Sequence, residues 1–249
     1  SFWQYAPLFF TRLDYFSWSH LWFLIYLLVF TLLWWPLFKR LSAREGELSL
    51  RCSWFIYLPI PALFILQGVL RIWWPGFQNL YNDWGNFCYY SAAMIFGYLV
   101  GSQPALTEAI DREWKRAACI GAAAAALVLY GFHQYDHWSD VHRHLHYYFF
   151  GTVAGFTIVV ALLGFGRRYL NVTNPARRYL AEAALPVYIL HQAAIVIPGW
   201  YIMHWQLPIF ARIVILLLVS VSLTMIVYHF LVRKVSVLRR MFGMKPLAR

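Results

Sequence analysis

Seven apolar runs, each close to the length of a bilayer span, most constrain what this chain can fold into. They lie at residues 20–38, 53–70, 87–102, 117–132, 147–165, 184–203 and 209–232. An α-helix needs about 20 consecutive, mostly apolar residues to cross the hydrocarbon core. A membrane barrel requires alternating apolar and polar residues, and the run at 23–33 shows no alternation. The sequence therefore predicts an all-α fold, a polytopic transmembrane bundle of about seven helices.

The composition agrees with a chain that lies in lipid. Hydrophobic residues make up 61% of the sequence and charged residues 12%, whereas soluble domains are about half apolar and about a quarter charged. No soluble domain or low-complexity tract separates the apolar runs. We therefore expect a single integral-membrane domain over residues 1–249, with the lipid bilayer as its main partner.

The lysines and arginines alternate between the two sides of the expected bundle. All but four of the 21 fall in the first, third and fifth connections and in the C-terminal tail. The four exceptions are Arg12, Arg71, Arg143 and Arg212. Because loops rich in these cations stay in the cytoplasm, the N-terminus is predicted outside and the C-terminus in the cytoplasm. This distribution also accounts for the net charge of +11, so we expect no nucleic acid partner.

Three histidines lie in or beside apolar runs, where polar side chains are costly. His20 begins the first run, His191 lies inside the sixth, and His229 lies near the end of the seventh. A histidine can take a proton from a hydroxyl near neutral pH, which suits a general base. A lone membrane histidine also serves as a hydrogen bond between helices. The residues alone leave both interpretations open.

Two segments on the predicted outer side are rich in polar and aromatic residues. Residues 133–146 contain five histidines, and zinc or copper binding and a solvated, sugar-contacting loop are the alternatives. Their spacing matches no standard ligand pattern, so we assign no metal ligand. Residues 78–87, Q-N-L-Y-N-D-W-G-N-F, combine amides, Asp83 and aromatic rings. This combination suits a carbohydrate as well as a turn and a helix cap.

Small residues four apart predict where helices pack closely, because they let backbones approach each other in lipid. Such pairs are Gly97 with Gly101 and Gly151 with Gly155. Prolines interrupt otherwise continuous apolar runs at Pro59, Pro61, Pro186 and Pro198. Broken helices occur where the freed backbone meets protein or a water-filled cavity. An internal cavity and simple kinks are the two interpretations.

Four short motifs together resemble the acyltransferase 3 family of polytopic membrane O-acyltransferases. They are S-H-L-W-F-L at 19–24, N-D-W-G-N-F-C-Y-Y at 82–90, L-P-V-Y-I-L-H-Q at 185–192, and G-M-K-P at 243–246. The resemblance extends from about residue 17 to residue 246 and is strongest to the branch that modifies periplasmic glucans. The first and third motifs are specific in combination, and either alone is weak.

The resemblance implies a larger protein than this sequence. The family normally has ten helices with its N-terminus inside, and removal of the first three would leave seven helices that start outside. We therefore expect the C-terminal part of a ten-helix acyltransferase, with complementing N-terminal helices as partners. The family's main histidine and its paired arginines would lie upstream. Arg177 and Arg178 do not reproduce the paired-arginine context.

The resemblance also implies an activity. An acyl group, acetyl or succinyl, would pass from a cytoplasmic acyl-CoA to a hydroxyl of an extracytoplasmic glycan, in the bacterial inner (plasma) membrane. Acyl-CoA is then the donor substrate, and we expect no bound cofactor and no metal. His20 and His191 are the catalytic candidates. The candidate substrate-binding residues are Trp22, Asn82, Asp83, Trp84, Tyr188 and Gln192.

Other classes of membrane protein fit parts of the sequence. A glycan transporter or export module fits the aromatic residues, although charged residues in the middle of the membrane are scarce. A non-catalytic membrane protein with a histidine-rich, metal-binding external loop rests on residues 133–146 alone. A seven-helix receptor is disfavoured, because residues 209–232 contain no lysine for a retinal Schiff base.

Overall fold

A computed structural model describes residues 7–8, 11–12, 19–42, 52–76 and 78–245 of the chain. The beginning of the resemblance, at residue 17, and Pro246 of the tail motif lie outside these residues. The main α-helices are α1 Trp22–Ser42, α2 Pro59–Trp73, α3 Trp84–Ser102, α4 Pro104–His133, α5 Asp140–Tyr169, α6 Pro175–Met203, α7 Ile209–Ile226 and α8 Ser236–Met241. Within the described residues the structure contains helices and turns and no strand.

Six helical segments of the described chain are long and apolar enough to cross a membrane. These segments contain α1, α2, α4, α5, α6 and α7. Short 3-10 turns extend the segments of α1 and α2, and a short π-helical stretch extends that of α7. The remaining predicted span corresponds to α3, which has 19 residues and carries amide, hydroxyl and tyrosine side chains that lower its hydropathy. The all-α, multi-pass helical bundle predicted from the sequence is confirmed.

The chain divides into two compact units, one within Ser1–Asn171 and the other within Val172–Arg249. The first unit contains α1 to α5, and its buried core lies among α2, α4 and α5, around Leu63, Ile110 and Val160. The second contains α6 to α8, and Ala183, Tyr228 and Val232 form its core. Each unit thus has a hydrophobic core of its own.

Three helices begin well before the apolar runs that predicted them. α4 begins at Pro104 rather than Ala117, α5 at Asp140 rather than Tyr147, and α6 at Pro175 rather than Ala184. The added turns are charged or polar, so hydropathy excludes them, but side-chain pairs support them as helix. Arg112 pairs with Glu108 at 3.2 Å one turn away, and Arg167 of α5 pairs with Asp111 of α4 at 2.9 Å.

Glycines let α4 and α5 pack closely along their length. A Cβ atom built on Gly121 would lie 2.8 Å from Cγ1 of Ile158, and one on Gly164 would overlap Cβ of Trp114. A third close approach is at Gly131, where a Cβ would lie 2.5 Å from Cδ2 of His146. Larger side chains at these positions would push the two helices apart.

The helix contacts predicted at the four paired glycines are wrong. A Cβ built on Gly97, Gly101, Gly151 or Gly155 meets no described atom within 4 Å. These glycines instead line two cavities of the first unit.

Polar contacts join α1 to α3 at three levels with nearly constant sequence separation. The Tyr26 hydroxyl donates to Asp83 Oδ2 at 2.5 Å, and Trp34 Nε1 donates to the Ser91 hydroxyl at 2.7 Å. The hydroxyls of Ser42 and Tyr98 lie 2.6 Å apart. The separations are 57, 57 and 56 residues, so the two helices run parallel and in a fixed register.

The inner end of α4 carries a buried carboxylate. Glu113 is 2% exposed and accepts from the Ser53 hydroxyl at 2.5 Å and from Arg116 Nη1 at 3.1 Å. Ser53 begins the 3-10 turn Ser53–Tyr57 that leads into α2. Glu113 therefore fastens this turn to α4.

In the second unit, α6 continues from Pro175 to Met203 through both Pro186 and Pro198. Pro186 and Pro198 therefore do not end the helix, although each lacks an N–H to donate. α7 continues into a π-helical segment, Val227–Val232. Near the C-terminus, Arg239 Nη2 donates to Glu182 Oε1 at 2.8 Å, which ties α8 to α6.

Candidate functional site

The first unit contains a cavity of about 660 Å³ near the end of the bundle that the charge pattern predicts to face outside. Its lining comes from α2, α3, α4 and α5. The polar part is formed by Gln67, Arg71, Tyr89, Tyr90, Tyr147 and Tyr148. We name this the outer cavity. Tyrosine rings around a cation are suited to a polar ligand with hydroxyls, because each ring offers an apolar face and a hydroxyl.

A second cavity, of about 360 Å³, lies among α2, α3, α4 and α5 toward the opposite ends of these helices. Its lining is almost wholly apolar and includes Leu63, Phe96, Gly97, Gly101, Gly155 and Val159. We name this the inner cavity. Tyr89 lines both cavities, so this side chain borders the polar environment and the apolar one.

A chain of hydrogen bonds runs from α1 to the outer cavity. Tyr26 donates to Asp83 Oδ2 at 2.5 Å, and Asn86 Nδ2 donates to the same oxygen at 3.0 Å. The Asn86 oxygen accepts from Arg71 Nη2, and Arg71 Nε donates to Gln67 Oε1 at 2.9 Å. The network thus joins α1, α3 and α2 beside the cavity wall.

The α1 and α3 part of the network is almost completely removed from solvent, whereas Gln67 and Arg71 are half-buried. Tyr26 and Asp83 are each 1% exposed and Asn86 is fully buried. Asp83 Oδ1 is buried and has no hydrogen-bond partner among the described residues. Because a buried carboxylate is costly without partners, Tyr26 and Asn86 stabilise the start of α3.

The S-H-L-W-F-L motif lies at the beginning of α1. His20 is half-buried within the 3-10 turn Ser19–Leu21. The Trp22 ring lies 5.6 Å from the ring of Tyr26 and 5.3 Å from that of Tyr90. Trp22 therefore covers the network and touches a residue that lines the outer cavity.

The N-D-W-G-N motif forms the turn into α3. The Asn82 backbone N–H donates to Asn79 Oδ1 at 2.9 Å, which is an Asx-type turn. Trp84 is half exposed and packs edge-on against Phe87 at 5.5 Å. Asn82 and Trp84 are accessible, whereas Asp83 between them is buried. The structure therefore brings Trp22 and Asp83 together through Tyr26.

The L-P-V-Y-I-L-H-Q motif lies in α6 of the second unit. His191 Nδ1 lies 2.5 Å from the carbonyl oxygen of Tyr188, and a carbonyl can only accept. Nδ1 therefore carries the proton, and Nε2 is the acceptor nitrogen of the ring. His191 lines an apolar groove of about 300 Å³ between α6 and α7. Gln192 follows it on α6 and is half-buried.

The histidine-rich segment is mostly helix, because α5 begins at Asp140. His142 stacks on Trp138 at 4.3 Å, while His144 Nε2 donates to the carbonyl of Gly68 at 2.8 Å. His133 ends α4, so it does not share a helical face with His137. The described residues contain no group of three or more His, Cys, Asp or Glu side chains placed to hold a metal ion.

Sequence reasoning missed four members of the polar network. Tyr26, Gln67, Arg71 and Asn86 were absent from the candidate residues although they surround Asp83. Arg71 carries a sequence signal, since a cation and an amide four residues apart share one face of an apolar helix. That signal was assigned to membrane topology instead.

The fold and these cavities define a multi-pass helical membrane protein with a polar and an apolar compartment in one bundle. The sequence model of the acyltransferase 3 family, described as an acyltransferase domain, matches residues 1–229. The chain therefore belongs to the acyltransferase 3 family, as the motifs predicted.

Three curated relatives share one name. Glucans biosynthesis protein C from Escherichia coli O1:K1 / APEC is 25% identical over 244 residues, which cover 93% of this chain and 62% of the relative. The proteins of the same name from Escherichia coli O45:K1 and O9:H4 have the same identity and coverage. The chain therefore spans 62% of the length of these relatives. No solved structure matches the chain.

Proposed function

We propose that the protein is a membrane O-acyltransferase that moves an acetyl or succinyl group from a cytoplasmic acyl-CoA to a hydroxyl of an extracytoplasmic glycan. The family match supports acyl transfer, and the name of the relatives supports a glucan as the acceptor. The proposed location is the bacterial inner membrane, because acyl-CoA is a cytoplasmic compound and the glycan lies outside.

The arrangement of the two cavities carries the proposal. Transfer between compartments requires a polar site for the glycan, an apolar path for the acyl group, and a passage between them. The outer cavity is the proposed glycan site and the inner cavity the proposed acyl path, and Tyr89, which lines both, is the proposed boundary between them. Exposed cations near the predicted inner ends of α4 and α5, including Arg112 and Arg168, suit the phosphates of the donor.

The chemistry requires one base and a site that excludes water. The base takes the proton of the glycan hydroxyl while the oxygen attacks the carbonyl carbon of the thioester. The carbon–oxygen bond forms, the carbon–sulfur bond breaks, and the CoA thiolate leaves and receives the proton. Histidine suits this role because its neutral form accepts a proton near pH 7.

His20 and His191 are the proposed bases. The Nδ1 hydrogen bond of His191 fixes the tautomer in which Nε2 can accept a proton. His20 lies in the turn that leads into α1, and Trp22, which follows it closely in the chain, packs against Tyr26 of the network at 5.6 Å. Trp22, Asn82 and Trp84 are proposed to contact the glycan, and the buried Asp83 positions their turn. Tyr188 and Gln192 are proposed to bind substrate beside His191.

Histidine variants of the full-length protein in native membranes test the proposal. Transfer of labelled acetyl or succinyl groups from acyl-CoA to glucan is measured. We expect His20→Ala to abolish acyl transfer without changing the thermal midpoint of unfolding. We expect His191→Ala to lower the rate of acyl transfer strongly. His204→Ala is the matched control for His191, because His204 Nδ1 also donates to a carbonyl one turn back, that of Trp200, at 2.6 Å.

Two results would count against the proposal in different ways. Unchanged transfer in both His20→Ala and His191→Ala would exclude them as bases and leave the reaction standing. No transfer by the wild-type protein with either donor would reject acyl transfer to glucan itself.

A further inference from the structure

The outer cavity contains a cation that the structure holds rigidly. Arg71 Nε donates to Gln67 Oε1 at 2.9 Å, and Nη2 donates to Asn86 Oδ1. The two partners belong to different helices, α2 and α3. The planar group is therefore fixed in orientation as well as in position.

The partners of Arg71 are neutral. Gln67 and Asn86 are amides, and none of the ion pairs among the described residues involves Arg71. Asp83 contacts Asn86 rather than Arg71. A charge in a membrane-embedded bundle is costly unless an opposite charge accompanies it. Within the described residues, Arg71 therefore lines the cavity without a direct ion pair, and the Asp83 carboxylate lies one residue further along the network, behind Asn86.

The neighbouring backbone is shaped around this arginine. Gly76 has φ of +111°, a conformation that favours glycine, and a Cβ there would overlap Arg71 Nη1. A Cβ on Gly85 would lie 3.3 Å from Arg71 Cδ and 3.1 Å from the Trp74 carbonyl oxygen. The two glycines therefore leave room for the Arg71 side chain, and a larger residue at either position would press against it.

The remaining wall supplies aromatic rings and hydroxyls. Tyr89, Tyr90, Tyr147 and Tyr148 line the cavity together with Arg71. A guanidinium matches the two oxygens of a carboxylate or phosphate with parallel hydrogen bonds. Tyrosines beside it can hydrogen-bond and stack on the uncharged remainder of the ligand.

We propose that the outer cavity is an anion site, in which Arg71 selects a ligand that carries a carboxylate or phosphate. The proposal rests on the proposed function for the identity of that ligand. Two substrates can supply the anionic group: an acyl group with a free carboxylate at its far end, or a glycan acceptor with an anionic substituent. Arg71 is then a specificity-determining residue rather than a base.

Binding is tested first, without any measurement of activity. The purified full-length protein in uncharged detergent is heated with succinate, inorganic phosphate, neutral succinamide, or sodium chloride at equal ionic strength. We expect succinate or phosphate to raise the thermal midpoint, and succinamide and chloride to leave it unchanged. Arg71→Gln should abolish this shift, whereas Arg143→Gln should keep it, because Arg143 pairs with Asp140 outside this cavity.

Selectivity is tested next, in the transfer assay. Arg71→Gln should lower kcat/KM for the charged substrate roughly 10- to 100-fold relative to its neutral counterpart. A loss for succinyl-CoA but not acetyl-CoA assigns the site to the acyl group. A loss for an anionic glucan but not a neutral one assigns it to the acceptor. Arg71→Lys keeps the positive charge but cannot form two parallel hydrogen bonds, so its preference for the charged substrate should be intermediate.

The outcomes separate this proposal from the proposed function. If neither anion stabilises the wild-type protein more than chloride does, the anion site is refuted even if Arg71→Gln fails to fold. Unchanged substrate preference in a folded Arg71→Gln protein refutes its role in selectivity. Anion stabilisation that depends on Arg71, without transfer from any acyl-CoA, supports the site and rejects the proposed reaction.

Discussion

Two buried tyrosines allow the Tyr→Phe substitution to be tested at a hydroxyl that is hydrogen-bonded and at one that has no described partner. Tyr26 is 1% exposed and Tyr228 is fully buried. The Tyr26 hydroxyl donates to Asp83 at 2.5 Å and accepts from the Leu80 backbone N–H at 3.2 Å. The Tyr228 hydroxyl has no hydrogen-bond partner among the described residues. Replacing each with phenylalanine removes the same atom from equally buried sites.

The structure sets the size and sign of the two effects. A hydrogen bond to a charged group contributes about 1.5–3 kcal/mol, so Tyr26→Phe should cost about 2 kcal/mol and leave Asp83 with Asn86 as its partner. Tyr228→Phe removes a buried hydroxyl that is not satisfied by described residues. Its free energy of unfolding should equal or exceed that of the wild type by up to about 1 kcal/mol.

Hydrogen exchange measures these effects separately in the two units. In Tyr26→Phe, backbone amides of residues 80–90 should exchange roughly 30-fold faster, the equivalent of about 2 kcal/mol. In Tyr228→Phe, amides of residues 224–232 should exchange no faster than in the wild type. Equal acceleration in both variants, or none in Tyr26→Phe, would refute the idea that the hydroxyl of Tyr26 stabilises the turn into α3.

Two further predictions concern packing and the inner end of the bundle. Gly164→Val should lower the free energy of unfolding by about 1–3 kcal/mol, because the valine side chain would overlap Trp114 between α4 and α5. Gly166→Val is the control: a Cβ there meets no described atom within 4 Å, so the thermal midpoint should be nearly unchanged. Glu113→Ala should remove the hydrogen bond to Ser53 and so increase proteolytic cleavage of the turn before α2, while α5 stays as resistant to cleavage as in the wild type. Unchanged cleavage of the turn would contradict the role of Glu113 in holding it.

Hydropathy located the helices but not their beginnings. A bilayer requires long apolar stretches, so each predicted run coincides with a helix of the structure. Outside the bilayer a helix needs only local support, and the charged turns at the start of α4 supply it through ion pairs such as that of Arg112 with Glu108. Proline marks a helix beginning at Pro59, Pro104 and Pro175, whereas α6 passes Pro186 without ending.

The candidate site was only partly accessible to sequence reasoning. The N-D-W motif directed attention to Asp83, and the family resemblance to His20 and His191. Asn86, one partner of Asp83, lies in the same motif, but Tyr26 lies 57 residues away and Arg71 reaches the network only through Asn86. Tyrosine and asparagine also carry no signal of their own until the fold buries them.

The three polar contacts between α1 and α3 prevent these helices from sliding past each other. Their nearly constant separation of 56 or 57 residues means that a slip of one helical turn would break all three together. α1 and α3 are therefore expected to move together as one rigid body along the bilayer normal. Any widening between the outer and inner cavities is then expected from side-chain rotation, as at Tyr89, or from displacement of α2 or of the α4–α5 pair, because these helices supply the rest of both linings.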